Sequence, residues 1–156
     1  MRIIHSFKIG TELKTEIFRI MTYVLWIIQA LLALLFLFAG GTKLVIPPDV
    51  LASMGSPNQI PLPGWFVRFI GVAEVLGALG LILPGLLRIK PWLTPLAAAG
   101  LVAIMIGATA LAMAADGVAA GVVPLAVGLL AVFVAYGRWR LAPHPPRREM
   151  IRPRAS

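Results

Sequence analysis

The sequence predicts an all-α polytopic membrane protein, a four-helix transmembrane bundle, and three observations carry that prediction. Hydrophobic residues make up 60% of the 156 positions and charged residues only 13%, far below the roughly one quarter typical of a soluble domain. Four apolar runs, residues 20–46, 65–83, 94–115 and 118–136, have the length of about 20 residues that carries a helix across about 30 Å of hydrocarbon. Lysine and arginine, finally, fall almost wholly on one side of those runs.

Residues 1–19 stand apart from the first run. On a helical wheel Ile3, Phe7, Leu13, Ile17 and Met21 share one side and Lys8, Glu12, Thr15, Glu16 and Arg19 the other, with Lys14 and Gly10 breaking the pattern. Such a segment is expected to lie as an amphipathic helix on the cytoplasmic leaflet. A cleaved signal peptide fits less well, because its apolar region would be about 7 to 15 residues long and FLFAGGTK is a poor small-residue cleavage site.

The first span stops at Pro47 and Pro48, where the chain loses two amide donors. The connection that follows, PPDVLASMGSPNQIPLPGW, contains five prolines; it reads first as a plain connector and second as a lid over the outer mouth, with DVLASMG able to form one short helical turn. The second span is expected to stop at Pro84 and Gly85. Thr94 reads as the cap of the third span, with Pro95 tolerated in its first turn. Asp116 and Gly117 leave almost no loop before the fourth, so the last two spans form a tight antiparallel hairpin.

Arg2, Lys8, Lys14 and Arg19 precede the first span; Arg88 and Lys90 sit in the second loop; Arg138, Arg140, Arg147, Arg148, Arg152 and Arg154 follow the fourth span. Residues 44–67 and the third loop carry no basic residue. Cytoplasmic segments retain lysine and arginine, so both termini are expected in the cytoplasm of a multi-pass protein of the cell (inner) membrane. The net charge of +8 then needs no nucleic acid: the basic tail, residues 140–156, reads as an anchor on anionic lipid.

The composition excludes several chemistries. Without cysteine the chain offers no thiolate nucleophile, iron–sulfur cluster or thiolate zinc site. Its two histidines, His5 and His144, lie outside the spans, so no haem can be ligated from both sides within the bundle. No carboxylate cluster offers a metal site, and no intrinsic cofactor is expected. Glycines within the spans point to close helix packing, with Gly40, Gly71 and Gly77 in the first two spans and Gly117 and Gly121 as the one strict G-x-x-x-G. Trp26, Tyr23, Trp65, Trp92, Tyr136 and Trp139 read as interfacial belts.

The second span contains one acid, Glu74, among valine, alanine, leucine and glycine. A charge inside a spanning helix costs about 3 kcal/mol or much more, so it is normally turned inward and paired or protonated. Glu74 lies nine residues inward from Trp65, roughly 13 Å along the axis, in the outer half of the membrane. Lys43, at the outer end of the first span, falls at a nearby depth and can meet it directly, through Thr42 or through a water. Arg68 is about 240° around the helix from Glu74 and is expected to serve the interface or the first loop. Gln29, Ala33, Phe36, Gly40 and Lys43 form one stripe, which reads first as helix packing. A structural ion pair and a ligand-binding or proton-handling site at Glu74, Lys43, Thr42, Arg68 and Gln29 both stay open at this point.

The run LLFLFAGGTKLVIP, the proline-rich loop with DVLASMG, the segment WFVRFIGVAEVLGALGLILP, and the basic turn before LTPLAAAGLVAIMIGA together resemble the DoxX-like family of small four-helix membrane proteins. The resemblance covers residues 30–138, and its most specific elements are the glycine and lysine that end the first span and the glycine and glutamate of the second. It implies a four-helix bundle. It also implies kinship with proteins linked to the membrane subunit of a thiosulfate:quinone oxidoreductase and to membrane-associated oxidative-stress complexes. Where the family's third helix often ends in a polar or histidine-containing stretch, this chain has ALAMAADG, so that a polar role there falls to Asp116.

Two functions are expected on this basis. The first is a non-catalytic subunit or scaffold of a membrane redox or stress-related complex, binding a partner or a quinone-like lipid, with a homodimer or a redox-complex partner meeting the alanine and glycine faces of the last two spans. The second is a small proton-coupled transporter, or an enzyme acting on a lipid-soluble substrate, in which Glu74 exchanges a proton.

Overall fold

A computed structural model of the chain describes residues 2–87, 90 and 92–141. Arg88, His144 and the rest of residues 142–156 lie outside the described residues. Five α-helices follow one another: α1 (Arg2–Val45), α2 (Pro48–Ser53), α3 (Gly64–Leu87), α4 (Leu93–Asp116) and α5 (Val122–Tyr136). A 3-10 turn, Val118–Gly121, precedes α5 and a π turn, Gly137–Leu141, follows it. The described residues contain no strand, and four stretches are long and apolar enough to cross a membrane: Thr15–Val45, Gly64–Leu87, Leu93–Asp116 and Val118–Arg140. The protein is an all-α, multi-pass membrane bundle.

Each element departs slightly from its sequence-based bounds, for a physical reason. The backbone of α1 is continuous from Arg2, so no break separates residues 1–19 from the span that follows. Helix α2 is the short turn expected from DVLASMG, with Pro48 at its first position, where a missing amide costs nothing. Helix α3 does not stop at Pro84 but runs three residues further. Proline cannot donate to the carbonyl one turn back, yet within a bundle neighbouring side chains can serve the carbonyls it disturbs. Thr94 does not cap α4; Trp92 occupies the cap position, and Thr94 is buried. Its hydroxyl has no hydrogen-bond partner among the described residues.

Packing follows chain order. Helix α1 lies against α3, α3 against α4, and α4 against α5, and α5 also touches α1. Leu25, Leu32, Phe36, Leu81, Leu101 and Val134 fill the centre. Where α1 and α3 cross, Gly40 and Gly71 face each other: a side-chain carbon added at Gly40 would stand 2.7 Å from the carbonyl oxygen of Gly71. At the α4–α5 turn, Gly117 takes φ 84°, a conformation that few residues other than glycine adopt. Gly121 packs on the Met113 and Thr109 side chains of α4. The G-x-x-x-G pair is therefore split, Gly117 making the turn and Gly121 lying within the hairpin. Replacing Gly121 by leucine is accordingly expected to reduce the folded yield in detergent rather than to loosen contacts between chains; a size-exclusion profile with normal yield and a smaller particle would contradict this placement.

Candidate functional site

The sequence places a lysine and a glutamate at complementary positions on antiparallel helices, and elementary geometry makes them lean together. Side chains tilt toward the N-terminus of their own helix. The N-terminus of α1 is at the end where the arginines gather, and that of α3 is at the opposite end. Lys43 therefore leans into the bundle and Glu74, one turn deeper, leans outward to meet it. Lys43 Nζ donates to Glu74 Oε2 at 2.7 Å and to Oε1 at 2.9 Å. A third, longer contact runs to the Ala39 carbonyl at 3.4 Å.

Glycine is what lets the two helices come close enough. Side-chain carbons added at Gly40 and Gly71 would lie 3.0 Å from the Cβ atoms of Glu74 and Lys43 respectively. Each charged residue thus stands directly opposite a glycine of the other helix. Glu74 is 2% exposed, and the Lys43 side chain 27%. Both carboxylate oxygens are engaged by one ammonium, so the net charge inside this part of the bundle is zero.

The other residues expected at this site are elsewhere. Thr42 donates to the Ala39 carbonyl of its own helix at 2.9 Å instead of bridging the pair. Arg68 is partly buried near the start of α3, and the ion pair of Glu74 is with Lys43. Gln29 belongs to a second polar cluster about 20 Å along α1, fourteen residues at about 1.5 Å each. There it is fully buried, donates through Nε2 to the Leu81 carbonyl at 2.6 Å and accepts from Arg138 Nε at 2.5 Å. Leu81 is the carbonyl next to that of Gly80, which Pro84 leaves without a donor. The stripe Gln29, Ala33, Phe36, Gly40 and Lys43 does face the interior, and it carries a polar group at each end.

Arg138 was not legible in the sequence as anything but one of several topogenic arginines. The structure carries the last helix past Tyr136 into the π turn, and this brings Arg138 inside at 3% exposure. Its guanidinium carbon lies 5.2 Å from the centre of the Trp26 ring, within cation–π range. Next to it, Gly137 packs against Leu25, closing α5 onto α1 at this end. Gln29→Leu removes the acceptor for Arg138 Nε and the donor to Leu81, and is expected to lower stability by about 1–3 kcal/mol. A detergent melting curve unchanged from wild type would show that neither bond contributes.

Trp92, Tyr136 and Trp139, read separately as belt residues, line one cavity. It has a volume of about 760 Å³, lies between α4 and α5 at the arginine-rich end, and is completed by Pro95, Leu96, Ala99, Val102, Val132, Ala135 and Arg138. At the other end of the bundle the first loop is tied across to α4: Ser56 Oγ donates to Asp116 Oδ1 at 2.7 Å and Asn58 Nδ2 to the same oxygen at 3.1 Å. Asp116, the only polar group at that end of the third span, is thus used to hold the loop. Among the described residues no group of histidine, cysteine and acidic side chains could hold a metal ion.

Compared with known proteins, the chain matches the model of the DoxX-like family over residues 27–134. No curated protein and no solved structure matches it significantly. The matched stretch contains the Lys43–Glu74 pair and the glycine crossing, and it leaves out the start of the first span and the turn that carries Arg138. The chain belongs to the DoxX-like family.

Proposed function

We propose that this protein is a non-catalytic membrane subunit or scaffold of a redox or stress-related complex, holding a quinone-like lipid or a partner rather than carrying out a reaction alone. The observation that carries this reading is the state of Glu74. The one acid deep in a spanning helix has both oxygens on Lys43 at 2.7 and 2.9 Å, where α1 and α3 cross at Gly40 and Gly71. A proton carrier needs an acid that can exchange with a pathway, whereas this one is neutralised by a neighbour of opposite charge. That favours a framework over a proton-coupled transporter. A second copy or a redox subunit would meet the outer face of α4, where Gly100 and Gly107 have nothing within 4 Å.

The test is purification from native membranes in mild detergent, with mass spectrometry for accompanying proteins and an absorption spectrum with lipid extraction for a quinone. A stoichiometric redox partner or quinone is expected. A clean protein that drives proton-coupled uptake in liposomes would overturn the reading in favour of transport. The proposed location is the cell (inner) membrane with both termini in the cytoplasm, supported by the distribution of lysine and arginine. Reporters fused after Ser156 and near Asn58 should then be active on opposite sides, and a C-terminal fusion active only outside the cytoplasm would reverse the topology.

A further inference from the structure

We propose that the cavity between α4 and α5 is a binding site for an anionic phospholipid of the leaflet at the arginine-rich end, with the lipid phosphate at Arg138 and one acyl chain along the cavity walls. This inference is independent of the redox reading above and needs no quinone.

Four observations lead to it. The cavity, about 760 Å³, falls within the range of about 300–1,000 Å³ typical of small-molecule sites, and it opens sideways because Trp92, Leu96, Tyr136 and Trp139 are exposed. Its length matches one leaflet. From Trp92 to Val102 is ten residues of α4, about 15 Å, which is half of a hydrocarbon core about 30 Å thick. The walls along that length, Leu96, Ala99, Val102, Val132 and Ala135, are all aliphatic and give an acyl chain nothing polar to meet. The cavity's charge, lastly, has one sign: among the described residues Arg138 lines it and no acidic residue does.

The position of Arg138 suits a phosphate. A guanidinium presents a rigid planar fork that matches phosphate oxygens. Here its plane is fixed by the bond from Nε to Gln29 and by the Trp26 ring, so little side-chain freedom is lost on binding. Exposed Lys90 and Arg140 lie at the same end of the bundle and add to the positive potential at headgroup depth. Basic pockets between spanning helices favour anionic headgroups for these reasons. A zwitterionic lipid would fill the same walls, but its headgroup would bring a cation toward Arg138.

The protein itself supplies the reporter, since Trp92 and Trp139 flank the cavity. The full chain is reconstituted in phosphatidylcholine vesicles containing a minor fraction of lipid with brominated chains, either phosphatidylglycerol or phosphatidylcholine. Brominated phosphatidylglycerol is expected to occupy the cavity roughly fivefold more often, the preference that one basic group near the lipid contributes, and so to quench the fluorescence of Trp92 and Trp139 more strongly than brominated phosphatidylcholine. Equal quenching by the two lipids in wild type would overturn the proposal. Arg138→Gln should bring the two to the same level. Because that change also disturbs Gln29, Ala99→Phe gives a second arm, filling the cavity while leaving every charge and the Gln29 bond in place. A preference that survives Ala99→Phe but is lost in Arg140→Gln would mean diffuse surface attraction and overturn the site. Inorganic phosphate added to the vesicles should leave the preference unchanged; if it displaces the lipid, the cavity binds a free anion and the lipid assignment is wrong.

Discussion

Replacing Lys43 by methionine is expected to destabilise the detergent-solubilised protein by about 3–5 kcal/mol, because it leaves the buried Glu74 without its counter-charge, and replacing Glu74 by glutamine to cost less, because the Lys43 side chain is 27% exposed and can turn toward water. The double variant should recover part of the loss. A buried pair as a whole can be close to neutral against apolar residues of similar size, so the coupling between the two changes measures the contact at 2.7 Å rather than the sum of two defects. Additive single effects, within about 0.5 kcal/mol, would mean that the pair does not hold the bundle together. A further comparison separates structure from function. If Glu74→Gln accumulates and melts normally yet fails to support a knockout strain, the carboxylate has a role beyond packing.

The second large effect is expected at the crossing itself. A side chain at Gly40 must displace the backbone of α3, since the nearest obstacle is the Gly71 carbonyl oxygen and not the flexible end of a side chain. Gly40→Leu should therefore force α1 and α3 apart and cost about 3 kcal/mol or more, at the upper end of overpacking effects. It should also weaken the ion pair, whose partners stand opposite the two glycines. Gly100→Leu is the matched control: with nothing within 4 Å of an added carbon, it should change the melting temperature little. Equal losses from both variants would indicate a general intolerance of leucine for glycine in these helices instead of a specific close approach.

Much of this arrangement could be read from the chain. An acid among apolar residues identifies itself by its cost, and a lysine at matching depth on an antiparallel helix is the nearest answer to it. The spans were legible for the same reason, length and hydropathy being properties of single segments. What escaped the sequence were features assembled from several segments. Arg138 looked like its neighbours because burial of a terminal arginine depends on whether the last helix runs one turn further. Trp92, Tyr136 and Trp139 each made sense alone as anchors, and only the packing of α4 on α5 sets them around one cavity. Gly117 and Gly121 matched a motif by spacing, but the motif presumes an unbroken helix and Gly117 is the turn. Gln29 was placed on the correct face of α1, yet its partners come from Leu81 and Arg138, 52 and 109 residues away.

The neighbour-to-neighbour packing of the bundle has a consequence for how the protein is made. Translation delivers α1 to the membrane before α3, so Lys43 is already at its depth, at the edge of the hydrocarbon, when the segment with Glu74 leaves the ribosome. The carboxylate does not have to cross the lipid alone: its counter-ion is waiting on the helix that α3 will pack against. Had the order been reversed, the acid would have entered first, more deeply placed and with no cation within reach. The order of the two residues in the chain thus suits Lys43 to receive α3 as it is inserted. On this account Lys43→Met should show its defect first as failed integration of α3 in newly synthesised chains, before any loss of stability in the protein that does assemble.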